Sequence, residues 1–340
     1  MKILANDGIS NSGEKVLKEA GLNLLDNRVS QEHLIPFINE NQVEVLLVKN
    51  ATQVTKELID ACTSLKIIGK GGESMDNIEV EYAKSKGIFV INTPNAFAKS
   101  VAELVFAHFL TLIRFLHDSN RNMPLEGDTK FAFLKKSYEK ATELSGKTLG
   151  IIGFGNIGKE VAKIGIGLGM KIIFYTRKPK TDNVSLEFFD GRTIDFEFTS
   201  TNDMEAFLKE ADFISINTSE TTEYIIDTPE FEMMKDGVFI VNTAKGGVIN
   251  EVTLIDYIEN KKVAGAALDV FETEPKPEIQ ILMNPSLSLS PHVGGSTLEA
   301  QERIGTELAQ QIANGKIKIW DFSIYSRHHS KIIKLLNHLT

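Results

Sequence analysis

Two groups of residues in this chain have the types and spacing that chemistry requires. The first is Gly153, Gly155 and Gly158 in the run Thr148-Leu-Gly-Ile-Ile-Gly-Phe-Gly-Asn-Ile-Gly-Lys-Glu-Val-Ala. An apolar strand precedes these glycines, a helical stretch follows, and a second strand arrives at Gly169-Met-Lys-Ile-Ile-Phe-Tyr. In such a unit the first glycine permits a tight turn, the second lets the backbone approach a pyrophosphate, and the third lets helix pack on strand. Free amides at the helix N-terminus then face the phosphates. The spacing therefore reads as a dinucleotide-binding unit of the nicotinamide type.

The second group centres on His292, in Ser290-Pro-His-Val-Gly-Gly. Hydride transfer between a nicotinamide and a hydroxyl-bearing carbon needs a base that takes the hydroxyl proton, or an acid that returns it to the ketone. An imidazole titrates near neutral pH and suits both directions. Most lone histidines are surface or core residues, but this one lies between Pro291 and a Gly-Gly step where the chain is expected to cross between domains. His108 and His117, on a long apolar segment, are read as structural.

The composition narrows the alternatives. A chain of 340 residues with 42% hydrophobic and 24% charged residues is long enough for two domains with cores of their own. Its net charge of -9 opposes broad binding to nucleic acid or to an anionic membrane. No apolar stretch is long enough to span a bilayer and Met1 to Ser10 has no signal-peptide core, so the expectation is a cytoplasmic protein. Cys62 is the single cysteine, which excludes an intramolecular disulfide and any cysteine-rich metal site. Its setting, Glu57-Leu-Ile-Asp-Ala-Cys, reads as a packed helix position rather than a nucleophile. His328-His329 lacks further ligands nearby, so no metal is expected.

The elements that must position the two groups follow from the apolar rhythm. Lys2-Ile-Leu-Ala, Val43 to Val48, Leu65 to Gly69 and Gly87 to Asn92 read as strands, separated by helical stretches such as Gly13 to Ala20. After the glycine motif, Ala211 to Asn217, Gly237 to Asn242 and Val263 to Asp269 continue as strands. The fold class expected is α/β, with two doubly wound, Rossmann-like parallel-sheet domains and a cleft between them. Ser185 to Phe198 breaks the rhythm, because two alternating runs flank Asp190-Gly191, and reads as an inserted hairpin. The helix from Thr297 to about Asn314 comes too late to complete the nucleotide sheet and is expected to return to the first domain. The domains are therefore 1–99 plus 293–320, then 100–292, with a basic C-terminal tail at 321–340. Val101, Leu104, Val105, Ala107, Phe109, Leu112 and Phe115 give the 100–116 segment more apolar surface than one helix face needs, which predicts a homodimer there.

Several further motifs carry a resemblance. They are Met75-Asp-Asn-Ile, Asn92-Thr-Pro with Ser100-Val-Ala-Glu-Leu, Val241-Asn-Thr-Ala-Lys-Gly-Gly-Val-Ile-Asn-Glu, Ala267-Leu-Asp-Val-Phe-Glu-Thr-Glu-Pro, and Ser290-Pro-His-Val-Gly-Gly-Ser-Thr. With the glycine motif, they make the chain similar to the D-isomer-specific 2-hydroxyacid dehydrogenase family over about residues 1 to 315. Within that family it looks most like short members acting on D-3-phosphoglycerate in serine biosynthesis. The resemblance implies a small-molecule 2-hydroxy acid as substrate and NAD as cofactor, with NADP kept open. It assigns His292 as the proton-transfer group, Glu274 rather than Glu272 as its carboxylate partner, and Lys245 as the substrate cation. Cofactor contacts are implied for Gly153, Gly155, Asn156, Ile157 and Gly158, for Thr176 and Arg177, and for Thr218, Ala244, Asp269 and Gly294. Substrate contacts are implied for Lys49, Asn50, Gly72, Glu73, Ser74 and Lys99.

The chain also departs from the family pattern. Lys245 stands where the family has arginine, and an ammonium supplies charge without a planar, two-pronged clamp. Lys49, Lys70 and Lys99 replace other arginines near the substrate, and Asn156 takes a position in the glycine motif that is often arginine. Glu73 and Ser74 stand where a small apolar residue and a glycine are usual, so a negative charge is set beside an anion. The end of the second nucleotide strand reads Tyr175-Thr-Arg-Lys, without the acidic residue that grips the ribose hydroxyls in NAD-using members. Two alternatives therefore accompany the phosphoglycerate reading: a catalytically impaired homologue that still binds dinucleotide, and an NADP-linked reductase of a glyoxylate or hydroxypyruvate type.

Overall fold

A computed structural model describes residues 1–25, 27–72, 75–218 and 223–318. Glu73, Ser74 and the 321–340 tail with His328-His329 lie outside the described residues. The chain divides into two compact units, one holding 1–97 and the chain from Thr297 onward, the other Ala98–Ser296.

In the first unit the order is β1 (Lys2–Ala5), α1 (Asn11–Glu19), β2 (Asn23–Leu25), α2 (Gln31–Asn41), β3 (Val45–Val48), α3 (Lys56–Ala61), β4 (Ile67–Lys70), α4 (Val80–Ser85) and β5 (Phe89–Asn92). The strands lie in the order β2-β1-β3-β4-β5, all parallel. β3 shows why its apolar run is unbroken: Leu46 and Val48 enter the core on one face of the sheet, Val45 and Leu47 the core on the other. Cys62, just past α3, is buried, and burial pushes its thiol up to about 11, which leaves it inert.

The second unit runs α5 (Ala98–Ile113), α6 (Leu116–Glu126), α7 (Phe131–Ser137), β6 (Thr148–Ile152), α8 (Asn156–Gly167), β7 (Lys171–Tyr175), β8 (Thr181–Glu187), β9 (Thr193–Thr199), α9 (Met204–Glu210), β10 (Phe213–Ile216), α10 (Thr228–Met233), β11 (Val238–Asn242), α11 (Glu251–Glu259), β12 (Val263–Leu268), α12 (Ile279–Met283) and β13 (Leu287–Leu289). Its parallel sheet has the order β13-β12-β11-β10-β6-β7. From β6 the chain first moves outward to β7 and then resumes on the other side at β10. That reversal is where doubly wound sheets bind ligands, beyond the carboxyl ends of the strands. The hairpin β8–β9 begins at Thr181, earlier than Ser185. It turns through Phe189-Asp190-Gly191, with Gly191 at φ 82 and its amide bonded to the Phe188 carbonyl. A doubly wound sheet would lay its next strand beside β7, but here only a bridge between Tyr175 and Thr201 remains.

α13 (Leu298–Lys318) belongs to the first unit, where it packs on α1. Glycine is required at the crossing, because a Cβ on Gly13 would lie 2.5 Å from the carbonyl oxygen of Gly305. The crossings between units fall at Phe97/Ala98 and Ser296/Thr297, whereas the sequence placed them near Lys99 and His292. α5 already begins at Ala98, so Lys99 sits in the second unit.

The apolar side chains of the 100–116 segment divide between core and surface. Val101, Val105, Phe109 and Leu112 are buried, whereas Leu104 and Phe115 are half-buried and Ala107 and Leu110 are exposed, so the helix buries only part of its apolar surface within its own unit. It also stops at Ile113, where Phe115 adopts a left-handed φ of 52 and α6 starts. The exposed apolar side chains stand further along, with Leu116 at 53%, Leu125 at 77%, Phe131 at 60% and Phe133 at 65% exposure. Among the described residues no single helix is long and apolar enough to cross a membrane; α5 and α6 pass together by composition but are bent by 54°.

Candidate functional site in the second unit

The glycine loop follows β6 directly. Gly153 has φ 89, and a Cβ there would lie 2.8 Å from the carbonyl oxygen of Asn217, so the turn is both left-handed and crowded. A Cβ on Gly158 would collide with the carbonyl of Gly153, which is how the start of α8 reaches the strand end. Gly155 differs from both: it is extended, it precedes α8, and nothing lies within 4 Å of the place its Cβ would fill. No side chain caps α8, so the first amides of the helix, from Asn156 to Gly158, are left for a ligand. These features fit a pyrophosphate. Thr218 follows Asn217, against whose backbone Gly153 turns. At the end of β7, the Thr176 hydroxyl donates to the Lys178 carbonyl oxygen at 2.8 Å and meets Ser200 Oγ at 2.7 Å. Arg177 stands next to it, and no acidic side chain occupies this step.

Lys245 is placed by a buried asparagine. Asn242, at the end of β11, accepts from the Ala244 amide at 3.0 Å and donates to the Lys245 carbonyl oxygen at 3.0 Å, closing a turn that presents the lysine outward. Gly246 then runs so close to the carbonyl of Phe271 that no Cβ fits. Lys245 is exposed and makes no ion pair among the described residues.

His292 follows β13 with a left-handed φ of 54, a costly conformation for a residue with a Cβ. Its Nδ1 lies 2.9 Å from Glu274 Oε2, while Glu274 Oε1 accepts from the Phe271 amide at 3.0 Å. A carboxylate can only accept, so Nδ1 carries the proton and Nε2 is left for a substrate oxygen. The loop is held from beneath by Asp269, which is 1% exposed. Its Oδ1 accepts from Val293 N at 2.8 Å, its Oδ2 from Gly294 N at 2.8 Å, and its carbonyl from His292 N at 2.8 Å. Thus Asp269 and Gly294, expected from the resemblance to contact the cofactor, are seen here holding the loop that carries the histidine.

Beside this loop Glu251 and Glu272 exchange bonds, each backbone amide donating to the other's Oε1, at 2.9 and 2.8 Å. Glu251 is buried, and its Oε2 has no partner among the described residues. Burial, with Glu272, Glu278 and Glu274 nearby, raises its carboxyl above the ordinary 4.5. A folded-state value raised in this way adds stability at low pH that is lost as pH rises through it. Glu251→Gln removes the titration, so its urea midpoint relative to the parent should rise as pH is raised above the ordinary 4.5. A pH-independent difference between the two proteins would show that Glu251 is not carrying the penalty.

The first unit gathers a polar loop at Lys49-Asn50-Ala51-Thr52. Asp7 accepts from Lys49 N at 2.6 Å and from Thr52 Oγ1 at 2.7 Å, and Asn77 Nδ2 donates to the carbonyl oxygens of Lys49 at 2.8 Å and Thr52 at 2.6 Å. Lys70 was read as one of the lysines replacing a substrate arginine; it is 1% exposed instead. Its ammonium donates to Lys49 O at 2.5 Å, Asn50 Oδ1 at 2.7 Å and Asn77 Oδ1 at 2.8 Å, so it is a structural cation. Lys49 Nζ donates to Gln301 Oε1 at 2.7 Å. Burial lowers the pKa of both lysines. Gly72, at φ 138, donates from its amide to Thr93 Oγ1 at 3.0 Å.

Asn242, Asp269 as an anchor, and a buried His108 bonded to Ser288 and Ser290 were not singled out for these jobs by sequence. The signal present in the sequence was weak: an asparagine closing a strand and two serines, either side of a leucine, before a proline.

The chain resembles known proteins over most of its length. Over 318 residues the chain is 40% identical to hydroxypyruvate reductase of Thermotoga maritima, covering 92% of this chain and 97% of that one. It is 35% identical over 317 residues to D-3-phosphoglycerate dehydrogenase of Methanocaldococcus jannaschii, covering 92% of this chain but 57% of that protein, so it spans little more than half of that longer relative. A solved glyoxylate reductase from Paecilomyes thermophila superimposes with a TM-score of 0.71 at 28% identity, covering 92% of this chain and 93% of that one. Residues 106–294, which carry both the glycine loop and the histidine–glutamate pair, match the family described as D-isomer specific 2-hydroxyacid dehydrogenase, NAD binding domain. The chain belongs to the D-isomer specific 2-hydroxyacid dehydrogenases, oxidoreductases that use NAD or NADP.

Proposed function

We propose that this protein reduces a small, unphosphorylated 2-oxoacid of the hydroxypyruvate or glyoxylate type to the corresponding 2-hydroxy acid. The carrying observation is the state of Lys70, at a family arginine position: its ammonium is buried and spends its three protons on Lys49 O, Asn50 Oδ1 and Asn77 Oδ1, so it is not available to a substrate phosphate. Full-length similarity to a hydroxypyruvate reductase supports the same reading. The second reading, oxidation of D-3-phosphoglycerate, is favoured by the 35% identity to a dehydrogenase of that acid.

The bound nicotinamide supplies or accepts the hydride. Asn156, Ile157 and Gly158 would hold its pyrophosphate through the helix N-terminus, with Thr218, Ala244, Asp269 and Gly294 near the rest of the dinucleotide. His292 Nε2 gives a proton to the oxygen of the reduced carbonyl, or takes it in reverse, while Glu274 stabilises the imidazolium through Nδ1. Lys245 supplies positive charge to the polarised carbonyl and the neighbouring carboxylate.

A panel of hydroxypyruvate, glyoxylate and D-3-phosphoglycerate with NADH, NADPH and their oxidised forms tests the assignment. The expected result is a kcat/KM for hydroxypyruvate or glyoxylate about tenfold or more above that for D-3-phosphoglycerate. Preference for the phosphorylated acid would sink the substrate reading. Dinucleotide binding without turnover on any acid would make the protein a catalytically impaired homologue.

The proposal includes a cytoplasmic homodimer. The single buried thiol suits a reducing compartment, and Leu116, Leu125, Phe131 and Phe133 on α6 and α7 are exposed apolar side chains that a second copy would cover. The hydrodynamic mass at micromolar concentration should match two chains, and replacing Phe131 and Phe133 with serine should return it to one. A single-chain mass for the parent would remove the dimer.

A further inference from the structure

We infer that His108, buried on α5, is a positioning residue for the 290–294 loop and acts on His292 through Ser290 and Asp269. This rests on His292 as the proton-transfer group.

The hydrogen-bond directions follow from donor arithmetic. Ser290 Oγ donates its one proton to Asp269 Oδ1 at 2.5 Å, because a carboxylate oxygen can only accept. Its contact with His108 Nε2 at 3.0 Å is then one in which the serine accepts, so Nε2 carries a proton. In a neutral ring Nδ1 is the acceptor, and Ser288 Oγ lies 2.9 Å away to donate to it. The chain Ser288 to His108 to Ser290 to Asp269 is thus satisfied with an uncharged imidazole. Burial, the larger effect, holds His108 below the ordinary 6.5, against the opposing pull of Asp269.

The far end of this chain is the carboxylate that receives the amides of Val293 and Gly294. Because His292 sits between these contacts in a left-handed backbone, the loop needs anchoring on both sides to hold that conformation. His108 supplies the fixed end. It lies on a helix that packs along α8 and against β11 and β12, so the catalytic loop is tied to the most buried part of the unit. A polar cluster at this depth is costly unless complete, and here each member has its partner.

The test uses His108→Leu, which keeps bulk but cannot donate, and His108→Gln, whose amide can still donate toward Ser290. Leucine is expected to lower kcat about tenfold with KM changed less than about twofold, as when a reacting group is misplaced without loss of binding. Glutamine should bring kcat back to within about threefold of the parent. Ser290→Ala cuts the same link from the loop side, with Ser290→Thr as its rescue, and covers the case in which the leucine variant does not fold. Parent-like kcat in His108→Leu or Ser290→Ala overturns the inference, as does a glutamine variant no better than leucine. Parent-like kcat in His292→Ala would overturn the underlying reading instead, whatever the His108 variants do.

Discussion

Replacing His292 with alanine is expected to lower kcat/KM by about three orders of magnitude while dinucleotide affinity changes little. The expectation follows from the pair itself. Glu274 Oε2 holds Nδ1 at 2.9 Å, so Nε2 is the ring atom that would meet the reacting oxygen in the proposed reaction, and no other histidine among the described residues of the second unit sits on an exposed loop. Glu274→Gln keeps the size of the side chain but removes the charge that stabilises the imidazolium. It should cost about two orders of magnitude, since the protonated ring loses its partner. Lys245→Ala should cost about as much, whereas Lys245→Arg should retain most activity if charge alone is used. Steady-state kinetics on the best acid of the panel decides these points. Activity in His292→Ala within about tenfold of the parent would end the assignment of His292 as the proton-transfer group.

Gly155→Val should abolish dinucleotide binding in a folded protein. The prediction depends on how the three glycines differ. Position 155 is extended and faces open space, so valine fits the apo backbone and projects its methyl groups where the pyrophosphate must come. By contrast, Gly153 has a left-handed backbone against Asn217, and Gly158 lies on the carbonyl of Gly153, so valine at either position should lower the melting temperature by several degrees. Titration calorimetry with both coenzymes and thermal melts separate the outcomes. Unchanged affinity in a folded Gly155→Val protein would mean that the dinucleotide binds elsewhere.

The parallel sheets, the glycine loop and the hairpin were legible because each depends on local pattern. Apolar runs such as Val45-Leu-Leu-Val specify interior strands, and Asp190-Gly191 between alternating runs specifies a hairpin. β2 and β13 have only three residues each, too few for any period to show. The helix break at Phe115 was hidden for another reason: neither glycine nor proline marks it, and the residue takes a left-handed turn while stacking on Tyr138 at 5.8 Å.

Sequence by itself determined the class of chemistry, because a strand, three spaced glycines, a helix and a histidine set between proline and glycine are all contiguous signals. Tertiary structure decided which charged groups are available. A lysine reads the same in one dimension at 49, 70 and 245, yet Lys70 is buried under three acceptors, Lys49 is bonded to a glutamine far along the chain, and Lys245 is presented outward by Asn242. The same holds for His108, whose partners Ser288 and Ser290 lie 180 and 182 residues away. Burial and long-range donor pairing are properties of packed elements, and no local pattern encodes them.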